Sequence, residues 1–155
     1  MGAKNGFSLL ELLLVLAILT ILGTVVFSSF IGYQTVVEAD EEANRIRSLL
    51  RSAQGKSING EDNSQWGVHF ANPSGASPFY ELFEGSSYPG TIKEMIYLSS
   101  RFVFTSPAIG NTQDILFQKR SGKSTGSMTI TISIAPAAGQ NQARSISVTS
   151  EGNIQ

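Results

Sequence analysis

Residues 6–23 read GFSLLELLLVLAILTILG, an almost unbroken apolar run that contains a single carboxylate, Glu11. The next residues extend it, and residues 12–37 contain no charged side chain. A helix satisfies its own backbone hydrogen bonds, and about 20 apolar residues in a helix span the roughly 30 Å hydrocarbon core of a bilayer. The run therefore predicts a transmembrane helix over residues 7–33, in which Glu11 needs either water or a partner.

This segment differs from a secretory signal peptide. In a signal peptide, a short apolar core of about 7–15 residues is followed by a small-residue cleavage site. Here Gly6 precedes the apolar run, and Lys4 is the only basic residue before it. Cleavage beside Gly6 would leave the hydrophobic helix on the mature chain. Lys4 on one side and the acidic residues that follow Val37 on the other favour an orientation with the amino terminus inside.

The helix is expected to continue beyond the membrane as an amphipathic segment over residues 34–58. Apolar residues recur there at alternating spacings of three and four, the period of a helix with one buried face. They are Val36, Ala39, Ala43, Ile46, Leu50 and Ala53. The chain has no proline before Pro73, and Asn59-Gly60 marks an end. We predict one helix from about residue 7 to about residue 57.

The pattern changes to β-strands in residues 59–155. Strands are predicted at residues 65–70, 79–83, 101–105, 115–118, 128–134 and 146–149, with a short piece at 97–98. In residues 128–134, aliphatic and hydroxyl side chains alternate, as in a half-buried strand. The predicted fold class is α+β, with a long amino-terminal helix packed on an antiparallel β-sheet domain.

Composition excludes several kinds of site. The chain of 155 residues has no cysteine and one histidine, His69, so disulfides, thiolate metal sites and multi-histidine metal sites are excluded. The formal net charge of −1 gives no global electrostatic reason to bind nucleic acid or anionic lipid. We expect no metal and no cofactor.

Residues 6–11, GFSLLE, together with the apolar helix, resemble the processing motif of type IV pilin-like proteins. That group includes type IV pilins and the pseudopilins of type II secretion. The resemblance implies that residues 1–6 are a leader, which the membrane-embedded prepilin peptidase cuts after Gly6. It also implies that Phe7 becomes an N-methylated first residue, and that Glu11 is the glutamate at the fifth mature position. Many members carry a proline inside the helix, and this chain departs from them because its first proline is Pro73.

The physical chemistry of the motif agrees with this resemblance. Gly6 lets the backbone enter a tight protease site without a side chain. In a filament, Glu11 would lie in apolar surroundings, where a carboxylate needs a cation. The amine of Phe7 on a neighbouring subunit is the candidate partner. The alternative is that Glu11 reaches interfacial water from the helix end.

Three later stretches resemble H-type minor pseudopilins and FimT-like minor pilins: QWGVHF at 65–70, FVFTSPAIG at 102–110 and SISVTSEGNI at 145–154. The resemblance implies a structural minor subunit of a type II secretion pseudopilus or a type IV pilus. It implies a single-pass inner-membrane protein whose globular domain lies outside the cytoplasm before it enters a filament. The implied partners are other pilin or pseudopilin subunits, prepilin peptidase and an inner-membrane assembly platform.

The globular part contains motifs that mimic catalytic or binding sites. Gly122–Gly126 matches the GxSxG nucleophile pattern, but a strand follows it and the chain has only one histidine to act as a base, so we predict a hairpin tip and no catalysis. His69 is expected in the core or at a sheet edge. The aromatic residues are expected to be core residues, with a sugar- or base-stacking platform as the less favoured alternative. They are Trp66, Phe70, Phe79, Tyr80 and Phe83.

Lys119, Arg120 and Lys123 form a small basic group on the same predicted hairpin. Three cations there could contact phosphates. The resemblance to minor pilins implies, as the alternative function, a DNA-binding receptor that acts in natural transformation, although a solvated hairpin end is favoured.

Overall fold

The computed structural model describes residues 8–134 and 143–155, and for residues 25–32 and 35 it describes the backbone alone. The helix α1 covers Leu9–Asn59 and is followed by a short 3₁₀ turn at Glu61–Asn63. The strands are β1 (Trp66–Ala71), β2 (Phe79–Glu84), β3 (Thr91–Tyr97), β4 (Phe102–Ser106), β5 (Thr112–Phe117), β6 (Met128–Ile134) and β7 (Ala143–Val148). The chain divides into two compact units, residues 1–37 and Glu38–Gln155.

The strands of the second unit form two antiparallel sheets. One has four strands in the order β3-β2-β1-β5, and the other has three in the order β4-β6-β7. The predicted fold class, a long helix packed on antiparallel sheet, is confirmed.

The part of α1 in the second unit supplies the centre of the core. The predicted stripe from Ala39 to Ala53 is buried, and it packs with residues from both sheets. On β1, alternate residues Trp66, Val68 and Phe70 join this core. The intervening residues of β1 are also buried, because the opposite face of the four-stranded sheet is covered as well.

Strand β3 is the largest departure from the sequence prediction, which placed only a short piece at 97–98. The strand runs from Thr91 to Tyr97 and lies at the edge of the four-stranded sheet. Six of its seven residues are exposed, and the register with β2 shifts between Leu82 and Phe83. An exposed edge strand with a bulge lacks the apolar alternation that signals a half-buried strand.

The predicted hairpin at residues 118–126 is also wrong, because β5 and β6 belong to different sheets. The chain reverses locally instead. The amide of Gln118 donates to the carbonyl of Lys123 at 2.8 Å, and Phe117 forms a bridge with Ser124. Arg120 and Gly122 have positive φ, as a tight reversal requires. The segment then crosses to the second sheet.

Asn72 links the two sheets at the end of β1. Its buried side-chain amide donates to the carbonyls of Phe104 at 3.0 Å and Pro107 at 2.9 Å. Its backbone donates to Asn111 and accepts from Gly110. Because every one of these groups is paired, the connection from β4 to β5 is fixed against the end of β1.

Candidate assembly site

The predicted cleavage residues Gly6 and Phe7 lie outside the described residues. The first described residue is Ser8. Its carbonyl accepts hydrogen bonds from the backbone amides of Glu11 at 3.1 Å and Leu12 at 3.2 Å. Glu11 is exposed and lies in the first turn of α1. A carboxylate in the first turn interacts favourably with the positive end of the helix dipole. Glu11 therefore stabilises the start of the helix while its carboxylate remains available to a partner.

An apolar surface surrounds Glu11 on the first part of α1. Eleven Leu, Ile and Val side chains between Leu9 and Leu22 are exposed, each by 46% or more. The hydroxyls of Thr20 and Thr24 donate to the carbonyls of Ala17 and Ile21 at 2.8 Å, so these groups are satisfied within the helix. An apolar patch of this size marks a surface that interacts with lipid or with other proteins.

In residues 8–134 and 143–155, no helix combines the length and the apolar character needed to cross a membrane. The membrane segment predicted at residues 7–33 stays a prediction.

In the basic group, the side chains of Lys119 and Lys123 and the backbone of Arg120 make contacts within the molecule. Lys119 Nζ donates to the backbone carbonyl of Asn63 at 3.0 Å and to its side-chain oxygen. Lys123 Nζ forms an ion pair with Glu151 at 2.8 Å. The backbone amide of Arg120 donates to the carbonyl of Ser57 at 2.9 Å. The contacts of Lys119 and Arg120 tie the loop to Asn63 and Ser57 at the end of α1, and the contact of Lys123 ties it to Glu151 near the carboxyl terminus.

The GxSxG segment is a turn in which the serine is buried. Ser124 is 6% exposed, and its hydroxyl donates to the carbonyl of Gly126 at 2.7 Å. The hydroxyl therefore stabilises the turn.

A polar cluster that sequence reasoning missed surrounds His69 on the face of the four-stranded sheet turned away from α1. His69 is buried, as predicted, and its Nδ1 is hydrogen-bonded to the carboxylate of Asp114. The ring of Tyr88 stacks on the imidazole with centroids 3.6 Å apart. The Tyr88 hydroxyl donates to the buried carboxylate of Glu81 at 2.8 Å. In the four-stranded sheet, His69 lies opposite Glu81 of β2 on one side and opposite Asp114 of β5 on the other. The sequence feature that could have revealed this cluster is the carboxylate of Glu81 inside the largely apolar strand FYELFE.

The aromatic residues are divided between the two faces of this sheet. Trp66, Phe70 and Tyr80 belong to the core beneath α1, as predicted. Phe79 and Phe83 lie on the opposite face, where Phe83 contacts Tyr88 edge to face with centroids 5.6 Å apart. Within the described part of the chain, no group of three or more His, Asp or Glu side chains could hold a metal ion.

The polar cluster around His69 is expected to lose stability at alkaline pH, when Tyr88 ionises. Burial raises the pKa of Tyr88 to about 12, and its hydrogen bond to Glu81 acts in the same direction. The stability that the neutral phenol contributes is fully present below pH of about 10, the ordinary tyrosine pKa, and is lost as the pH rises through about 12. In a spectrophotometric titration, Tyr88→Phe should remove a tyrosinate step near pH 12. An unchanged titration curve would contradict this assignment.

Comparisons with known proteins gave one match for the amino-terminal segment and one for the fold. Residues 1–27 match the family described as the prokaryotic N-terminal methylation motif. The fold is similar to the crystal structure of the type IV minor pilin FimU of Pseudomonas aeruginosa strain PAO1, with a TM-score of 0.50 and 13% sequence identity. The match covers 75% of this chain and 90% of that one. Curated proteins gave no significant match. The amino-terminal segment therefore carries the methylation motif, and the fold is similar to that of a type IV minor pilin.

Proposed function

We propose that this chain is a structural minor subunit of a type IV pilus or a type II secretion pseudopilus. The observation that carries the proposal is the position of Glu11. Between Leu9 and Leu22, it is the only charged residue on an exposed apolar helix surface, and it lies within a methylation-motif match at residues 1–27. Such a surface is suited to association with lipid and with like helices, and a charge in it is suited to setting the register. The proposed role is assembly, without catalysis.

Processing precedes assembly in this proposal. The precursor is inserted in the inner membrane through residues 7–33 with its amino terminus inside. Prepilin peptidase removes residues 1–6 and methylates Phe7. Residues 34–58 continue the helix, and residues 59–155 lie outside the cytoplasm.

Assembly then brings the apolar helices together. Glu11 of one subunit pairs with the amine of Phe7 on its neighbour, because a carboxylate in apolar surroundings needs a cation. An inner-membrane platform with an ATP-driven motor supplies the work. Within the family, we place the chain with the H-type minor pseudopilins and FimT-like minor pilins, on its stretches at 65–70, 102–110 and 145–154.

Substitution of Gly6 tests the processing step. We expect the intact mass of the wild-type chain, expressed with a prepilin peptidase, to correspond to residues 7–155 plus one methyl group. Gly6→Val should keep residues 1–6, because a β-branched side chain obstructs the tight approach of the backbone to the protease.

Gly2→Val is the matched control, since it makes the same change inside the leader, and it should be processed like the wild type. If the masses show that Gly6→Val and wild-type chains have the same first residue, the proposed processing is wrong.

A further inference from the structure

In the second unit, α1 leaves two flanks of exposed and half-buried residues on either side of its buried stripe. The first, here the acidic flank, consists of Glu38, Glu41, Arg45, Ser48 and Ser52. The second, here the arginine flank, consists of Asp40, Asn44, Arg47, Arg51 and Gln54. Within each flank, residues follow at spacings of three and four, so each set forms one row along the helix.

A groove runs along the acidic flank, with β3 and the residues after it as its other wall. One cleft of about 290 Å³ is lined by Glu38, Glu41, Glu42, Arg45, Ser99 and Phe102. The next, of about 250 Å³, is lined by Arg45, Ser48, Leu49, Ser52, Glu94 and Ile96. Arg45 lines both clefts, so the two clefts lie next to each other along the helix, and together they are called the groove here.

The groove keeps an excess of negative charge after its internal ion pair is formed. Arg101 pairs with Glu38, with nitrogen-to-oxygen distances of 2.8 and 2.5 Å. The clefts are then lined by three further carboxylates, those of Glu41, Glu42 and Glu94, and by one guanidinium, that of Arg45. Glu41 and Glu94 are exposed, so a partner can reach both.

The arginine flank has the opposite sign at the same level of the helix. Arg144 pairs with Asp40 at 2.5 Å, and this hydrogen bond holds the pKa of Asp40 below its ordinary value. Once this pair is formed, the remaining charges of the arginine flank are those of Arg47 and Arg51. Arg47 donates to the side-chain oxygen of Asn44 at 3.0 Å, and Arg51 is exposed.

We propose that the groove of one chain receives the arginine flank of a second copy of this chain. The contact is heterologous, because it joins two different surfaces, and two neighbouring copies can form it with their helices parallel. Pairing the acidic flanks of two copies would instead place like charges together, which is unfavourable. The inference rests on the proposed function, since anchorage in one membrane is what keeps the two helices parallel.

Charge reversal combined with cysteine cross-linking tests the contact in full-length, membrane-inserted chains. The natural chain has no cysteine, so an introduced pair reports one contact. One copy carries Ser48→Cys in the groove and a differently tagged copy carries Asn44→Cys on the arginine flank. The groove variant adds Glu41→Arg and Glu94→Arg, and the flank variant adds Arg47→Glu and Arg51→Glu.

Copies with natural charges should cross-link, and increasing salt should weaken the reaction because the charges lie at the surface. Two copies of the groove variant, or two of the flank variant, should cross-link about 10-fold less or weaker still. The groove variant carrying Ser48→Cys, mixed with the flank variant carrying Asn44→Cys, should recover the natural level. Unchanged thermal melting of each variant separates lost association from lost folding.

Three results would overturn the inference: no cross-link between copies with natural charges, equal cross-linking in the repelling mixtures, or a cross-link only to a different protein. Cleavage after Gly6 is measured on the same membranes. If the chain is cleaved after Gly6 but no cross-link forms, only this contact is contradicted. If the chain is not cleaved, the proposed function is contradicted.

Discussion

Glu11→Leu chains are expected to enter filaments about 100-fold less than the wild type. The substitution removes the proposed partner of the Phe7 amine and leaves that cation unpaired among apolar side chains. Removing one member of a buried ion pair costs about 3–5 kcal/mol, and each 1.4 kcal/mol is a factor of ten. The measurement is the fraction of chain recovered in sheared filaments relative to the membrane.

Two controls isolate the role of the charge. Glu151→Leu makes the same change at an exposed carboxylate near the carboxyl terminus. It removes only a surface ion pair with Lys123, which contributes little, so it should assemble like the wild type. Cleavage after Gly6 is measured in the Glu11→Leu sample, so that a processing defect is not taken for an assembly defect. Normal incorporation of Glu11→Leu would show that the charge has no role in assembly.

Gly67→Ala is expected to destabilise the globular unit by about 3 kcal/mol and to lower its Tm by about 10 °C. A β-carbon at Gly67 would lie 2.6 Å from the carbonyl oxygen of Ile115 and 2.6 Å from Cζ of Phe83. Strand β1 is hydrogen-bonded on both sides, so neither the carbonyl nor the strand can move away easily. Thermal and denaturant unfolding of the full-length chain measure the effect.

Gly55→Ala is the matched control for this substitution. Gly55 lies inside α1, and a β-carbon there would have no atom within 4 Å. In a helix interior, alanine is favoured over glycine by about 0.5–1 kcal/mol, so this variant should be slightly more stable than the wild type. Equal stability of the Gly67 and Gly55 variants would contradict the close packing inferred at β1.

Features encoded in short stretches of sequence were predictable. The buried stripe from Ala39 to Ala53 follows from helical period, and β6 from strict alternation of aliphatic and hydroxyl residues. Glu11 was a candidate because one charge in an apolar run needs a physical reason. Each of these signals is local, so it needs no knowledge of what packs against it.

Features that depend on distant partners were not predictable. The setting of His69 arises from the register that places Glu81 and Asp114 beside it, and from a loop that brings Tyr88 onto its ring. The crossing after β5 depends on which sheet receives β6, which the turn residues do not encode. The opposite charges of the two flanks depend on two distant arginines. Arg101 pairs with Glu38 and Arg144 pairs with Asp40, and only the charges left after this pairing distinguish the flanks.

The most direct measurement is the intact mass of this chain recovered from sheared, purified filaments. Cleavage after Gly6 and assembly through the helix predict the mass of residues 7–155 with one added methyl group on Phe7. A chain that is present in those filaments and still carries residues 1–6 would contradict this order of events.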